Sequence, residues 1–152
     1  MPSAELLRIA DAVIDSVENE ELTDELIHKL HSVFPETIVT GALDLIDREN
    51  VIKYIIPHSY PQYQVLGSTD IYTVLLDMTI STTPFFCSCP AFAYAVLSSG
   101  SHMMCKHVLA ARLANKLSLF IARPMTPEDL QAMMVRQFKL HEPAESQAQA
   151  SE

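Results

Sequence analysis

Three cysteines and one histidine stand in a simple pattern: Cys87-Ser88-Cys89, fifteen residues, then Cys105-Lys106-His107. Thiolate and imidazole are donors that zinc prefers, and three of the first with one of the second complete a tetrahedral set for one ion. A closed set leaves no position for a substrate or an activated water, so the chemistry it points to is structural. The neighbourhood agrees, because Met78 to Pro127 contains neither Asp nor Glu to act as a general base. No H-x-E with P-C-x-x-C and no H-E-x-x-H is present either, which removes the deaminase and zincin patterns. The expectation is a protein that is not an enzyme and that holds one structural zinc. His102 is a second imidazole that could stand in for His107. His28 and His31 lie three apart on a helical stretch without a third ligand nearby, and they read as surface residues. Three clustered cysteines fit a metal site in a reducing, intracellular compartment better than a disulfide scaffold.

Each pair of ligands dictates its own backbone. Residues two apart in a strand point to one side, so an extended Phe85-Phe86-Cys87-Ser88-Cys89 aims both thiols at one ion. On a helix the same separation turns by about 200°, which places Cys105 at a helix cap and His107 in the first turn. The ion then sits by the positive end of the helix dipole, where an anionic Cys3His centre is favoured.

The pattern C-x-C, a variable spacer, then C-x-H resembles the SWIM-type zinc finger, and Ala110 extends it to the C-x-H-x-x-A form of the SWIM subunits of Shu complexes. GALDLIDR, YQVLGS, FCSCPAFAYAVL and CKHVLA are similar to those subunits over roughly residues 41–115. The resemblance implies a noncatalytic, nuclear partner of RecA-like recombinase paralogues in a heteromeric complex. It implies promotion of recombinase filament assembly on single-stranded DNA during homologous recombination, the repair of DNA damage, with zinc as the cofactor.

The elements that must position the ligands follow from periodicity. Apolar residues recur at helical spacing in three stretches of the first third: Leu6, Ile9, Ala10, Val13, Ile14 and Val17; Leu26, Ile27, Leu30, Val33 and Phe34; Ile38, Val39, Ala42, Leu43 and Ile46. Thr23 is the expected N-cap of the second, and Pro35 separates it from the third. From Val51 to about Phe86 the runs VIKYII, YQVLG and IYTVLL predict an antiparallel β-meander. A short helix ended by Gly100 and a longer one within SHMMCKHVLAARLANKLSLF follow, the latter with Val108, Leu109, Leu113 and Leu117 on one face. Thr126-Pro127-Glu128-Asp129 opens a last helix, expected to about Lys139, with Leu130, Met133, Met134 and Phe138 as its apolar stripe. The class is α+β: an N-terminal helical segment (1–50), a β-meander with the zinc finger, a hairpin plus helix (51–123), a C-terminal helix (124–140) and a disordered tail (141–152). By pinning hairpin to helix, zinc is expected to fix a face of Phe92, Val96, Leu109 and Leu113 on which a partner or the meander packs.

A length of 152 residues with 49% hydrophobic and 19% charged residues, three Gly and nine Pro suits one packed domain and excludes a wholly disordered or collagen-like chain. No apolar run approaches the ~18–20 residues that cross a bilayer, and MPSAELLRIA lacks a basic leader, so neither secretion nor membrane insertion is expected. The net charge of −9 lies entirely in residues 1–50, which hold twelve acids and three bases. Asp44 and Asp47 there form a solvated edge or a docking strip. Beyond residue 50 the acids and bases balance, and Lys106, Arg112, Lys116 and Arg123 could contact phosphates while aromatic rings stack on bases. An autonomous nucleic-acid-binding zinc module is thus the alternative function, with a solvated helix face as the plainer reading of those bases.

Overall fold

A computed structural model describes residues 2–79 and 82–137. Helices α1 (Ala4–Asp15), α2 (Asp24–Val33) and α3 (Glu36–Asp47) lead into strands β1 (Val51–Ile55), β2 (Gln62–Leu66), β3 (Ile71–Leu75) and β4 (Phe86–Cys87). A π-helical turn (Phe92–Ser98), α4 (Lys106–Leu117), β5 (Ile121–Pro124) and α5 (Pro127–Gln137) complete the chain. The class is α+β.

The helix starts are set by short side chains that satisfy free amides. Ser3 accepts from the Leu6 amide at 3.3 Å and Thr23 from the Leu26 amide at 3.2 Å. Thr126 accepts from the Asp129 amide at 3.1 Å while the Asp129 carboxylate accepts from the Thr126 amide and hydroxyl, a reciprocal cap. Pro35 precedes α3 without a side-chain cap.

The sheet runs in the order β4-β3-β2-β1-β5. Its first four strands form the expected antiparallel meander, but β5 pairs in parallel with β1, Ile52 opposite Ile121 and Tyr54 opposite Arg123, so the sheet is mixed. Nothing in the sequence pattern marks β5: its four residues, one of them proline, are all exposed, and an edge strand with no buried face carries no alternation. The parallel return is possible because α4 crosses the sheet between the two strands.

One core joins the N-terminal helices to the sheet, from Ala10, Ile14, Leu30 and Val39 through Val51, Val65 and Val74 to Val108, Leu109 and Leu113. In α1 the buried face is rotated from the one expected: Leu6 and Ile9 are about half exposed, while Leu7 packs inward with Ala10 and Ile14. Helix α4 is buried on nearly every side, its alanines at 110, 111 and 114 included, because α1, α3 and the sheet all press on it. It begins at Lys106 with Cys105 as its cap, as the ligand spacing requires, and ends where Ser118 takes the left-handed conformation at φ 54°. The short helix before it is a π-helix closed at Ser98, followed by Gly100 at φ 64°. On the other sheet face α5 covers Gln64, whose amide donates to the Met133 sulfur at 3.1 Å, and Tyr54 donates to the Gln64 carbonyl at 3.0 Å. Met133 is buried, with Leu130 and Met134 half-buried; Phe138, Lys139 and the tail 141–152 lie outside the described residues.

Candidate metal centre

Strand β4 is only two residues long, yet it fixes the first ligand pair. Cys87 lies opposite Val74 on β3, and the next residue, Ser88, is tied to Thr73 in both directions, amide to carbonyl at 3.1 Å and Thr73 amide to Ser88 hydroxyl at 3.0 Å. With Ser88 turned out to solvent, Cys87 and Cys89 both turn inward, as alternation along an extended chain requires. The chain then folds straight into the π-helix, whose Phe92 amide donates to the Cys89 thiol at 3.3 Å.

The second pair has the geometry its spacing demands. Cys105 is the N-cap of α4, extended at φ −82° and ψ 165°, and His107 is in the first turn. All four side chains are buried, and their donor atoms lie within 4.8 Å of one another, the one group of this kind among the described residues. In a tetrahedral zinc–thiolate site sulfurs sit about 3.8 Å apart, from bonds of ~2.3 Å, so the spacing of this set suits one shared metal ion. His107 supplies the clearest sign. Both its ring nitrogens are buried with no hydrogen-bond partner, an arrangement whose desolvation a metal bond offsets. The residues fit one zinc ion, held by Cys87, Cys89, Cys105 and His107. His102 is outside the group, its Nδ1 3.0 Å from the Ser101 hydroxyl, so the alternative ligand is set aside.

Electrostatics follow from crowding three thiols together. Hydrogen bonds from Cys105 and Cys87 hold the Cys89 thiol far below its ordinary range. Cys87 is pushed well up by its bonds to Cys105 and Cys89 and by burial. At Cys105 the bond from Cys87 favours the thiolate, but the bond to Cys89 and burial outweigh it and raise the group to about 12. Each sulfur also has a backbone N–H lowering it, from Cys89 at Cys87, from Phe92 at Cys89 and from Val108 at Cys105. These three amides spread the charge that the thiolates would concentrate.

Phe92, Val96, Leu109, Leu113 and Ala110 are at most 1% exposed, so they belong to the core rather than to a face open to a partner. Phe92 meets Phe85 and Phe86 edge-on at 6.2 and 5.9 Å, which joins the π-helix to the hairpin as expected of a zinc-pinned unit.

The four bases do not make one face. Arg112 pairs with Asp11 at 2.7 Å and Lys116 with Asp15 at 2.7 Å, both across to α1, whereas Lys106 and Arg123 form no ion pair among the described residues. Arg112 is therefore not at a solvent edge: its side chain is only 18% exposed. The signal for these pairs was present in the sequence, since the acids and the bases are each four apart on their helices. Asp44 is matched to Arg48 at 2.9 Å on its own exposed helix edge, and His28 and His31 are exposed.

The SWIM zinc finger family model matches residues 72–115, a span that contains all four ligands. Zinc finger SWIM domain-containing protein 7 of Mus musculus is 40% identical over 113 residues, which cover 74% of this chain and 68% of that protein. The Homo sapiens protein of the same name is 38% identical over 98 residues, 64% of this chain and 65% of the relative. The Danio rerio protein is 31% identical over 121 residues, 79% and 81% of the two chains. None of these names describes an enzyme. With the finger, its four donors and this extent of identity together, the chain belongs to the family of zinc finger SWIM domain-containing protein 7.

Proposed function

We propose that this protein is a noncatalytic, zinc-stabilised subunit of a Shu-type complex, which binds RecA-like recombinase paralogues and promotes recombinase filament assembly on single-stranded DNA in homologous recombination repair. The observation that carries the reading is the closed Cys3His centre extended to the C-x-H-x-x-A form, with Ala110 fully buried one turn beyond His107. Four buried donors leave zinc no open position, and no carboxylate between residues 78 and 127 can serve as a base. Zinc here supplies a crosslink. The ligands hold hairpin, π-helix and α4 together, and the protein's outer surfaces do the binding in the nucleus.

A lone nucleic-acid-binding module is the second reading. It loses support from the pairing of Arg112 and Lys116 with α1, because phosphate tracking needs several free cations along one groove. The experiment is co-purification of the tagged full chain from cells, with identification of the bound proteins and a filament-assembly assay on single-stranded DNA. A RecA-like ATPase in the bound fraction, and faster filament growth in its presence, are expected. Absence of any such protein, together with tight and steeply salt-dependent single-stranded DNA binding by the lone chain, would instead establish the second reading.

A further inference from the structure

A histidine that binds a metal through one nitrogen ordinarily donates its other N–H to a carboxylate, carbonyl or water, and that bond sets the ring's orientation. Among the described residues neither His107 nitrogen bonds a carboxylate or a carbonyl. Packing against the ring can set its orientation instead. The neighbour that meets it is Tyr72 on β3, its ring centroid 4.5 Å from that of His107 with the planes tilted by 37°. Tyr72 lies opposite Val65 at the end of the β2–β3 hairpin, and that hairpin closes through Gly67, whose amide donates to the Asp70 carbonyl at 2.9 Å. A Cβ on Gly67 would stand 2.7 Å from Cε2 of Tyr72, closer than such atoms approach, so any side chain there pushes the tyrosine ring from its place. No positive φ accounts for a glycine at this position. The same Cβ would stand 3.1 Å from the Asp70 carbonyl oxygen, so the glycine leaves room for both the ring and the turn backbone.

We propose that Tyr72 is a positioning residue for the zinc centre: its ring, kept in place by the missing side chain at Gly67, orients the His107 imidazole by packing where other sites use a hydrogen bond. The role rests on the Cys3His centre and adds two residues to it that bind no metal themselves. It also makes the β2–β3 turn, far from the ligands in sequence, part of the metal site.

The test measures zinc affinity of the full chain by competition with a chromophoric chelator, and the visible spectrum of the cobalt-substituted protein. Tyr72→Leu is expected to lose roughly tenfold in zinc affinity, the lower end of what outer contacts of a metal site contribute. Its cobalt d–d bands should shift while thiolate charge-transfer bands persist, since the three sulfurs are untouched. Tyr72→Phe keeps the ring and should restore both readouts. Gly67→Ala should reproduce the loss by displacing the ring, and should add nothing in the Tyr72→Leu background. A folded Tyr72→Leu or Gly67→Ala protein with unchanged affinity and spectrum overturns the proposal. If Tyr72→Leu does not fold, Gly67→Ala decides alone. Wild-type protein that takes up no metal would sink the centre itself, a result separable from failure of the support.

Discussion

Cys105 is both a helix cap and a metal ligand, which makes it the residue whose loss should cost most. Cys105→Ser keeps a side chain able to cap α4 but removes a thiolate, so loss of one zinc equivalent and of the cooperative melting transition is expected; elemental analysis and thermal melting check it. Metal binding to folding is coupled by on the order of 10 kcal/mol in small zinc modules, so a retained fold without metal would refute the structural role. Acid should act the same way by degrees. Hydrogen bonding within the cluster and burial raise the Cys87 and Cys105 thiols, so zinc displaces protons from them on binding. Zinc affinity therefore rises with pH and falls on acidification, measurable by chelator competition between pH 6 and 8. At this scale the ligands were legible because metal coordination constrains spacing directly: two residues apart on a strand, two apart across a helix cap. Tyr72 was not, since a ring that packs on a ligand leaves no spacing rule behind.

Helix α4 is the element on which the rest is assembled. It provides two ligands, faces α3 and the sheet, and carries the two bases that meet α1. The pairs differ in exposure, Arg112 at 18% against Lys116 at 43%, so screening should discriminate between them. Double-mutant cycles with Asp11→Ala and Arg112→Ala are expected to give a coupling of about 1 kcal/mol, and the Asp15–Lys116 cycle a smaller one that vanishes at high salt. Equal couplings would mean that burial is not what separates them. The sheet offers α4 a further hold through Lys53, whose ammonium donates to Asn115 at 2.8 Å and lies 4.8 Å from the Phe120 ring centre. Helices with caps and a buried stripe, such as α2 and α5, could be read from the chain, as could strands that alternate. The π-helix and β5 could not. The first differs from an α-helix in hydrogen-bond register rather than in apolar pattern, and the second owes its existence to α4 lying across the sheet.

For the molecule as a whole, charge separates into an acidic front and a nearly neutral remainder, and folding brings them together: acids of α1 neutralise bases of α4. Only Lys106 and Arg123 among the four candidate bases stay unpaired within the described residues. The lone chain should accordingly bind single-stranded DNA weakly, with a shallow salt slope reporting at most about two phosphate contacts, by fluorescence anisotropy across a salt series. Lys106→Glu and Arg123→Glu should each weaken that binding and flatten the slope further. A steep slope would mean that α1 releases its hold on α4 when DNA arrives.

The fifteen residues between Cys89 and Cys105 form a loop whose two ends are ligands of the same ion, and its outer bend, from Ser98 to Ser101, is largely exposed. A protease that cuts this bend removes no donor. The nick converts an intrachain clasp into a bond between two separate polypeptides, Cys87 and Cys89 on one and Cys105 and His107 on the other. Dilution, harmless to the intact chain, should then drain zinc from the nicked one, so metal retention measured against protein concentration would show the ion acting as a rivet between fragments.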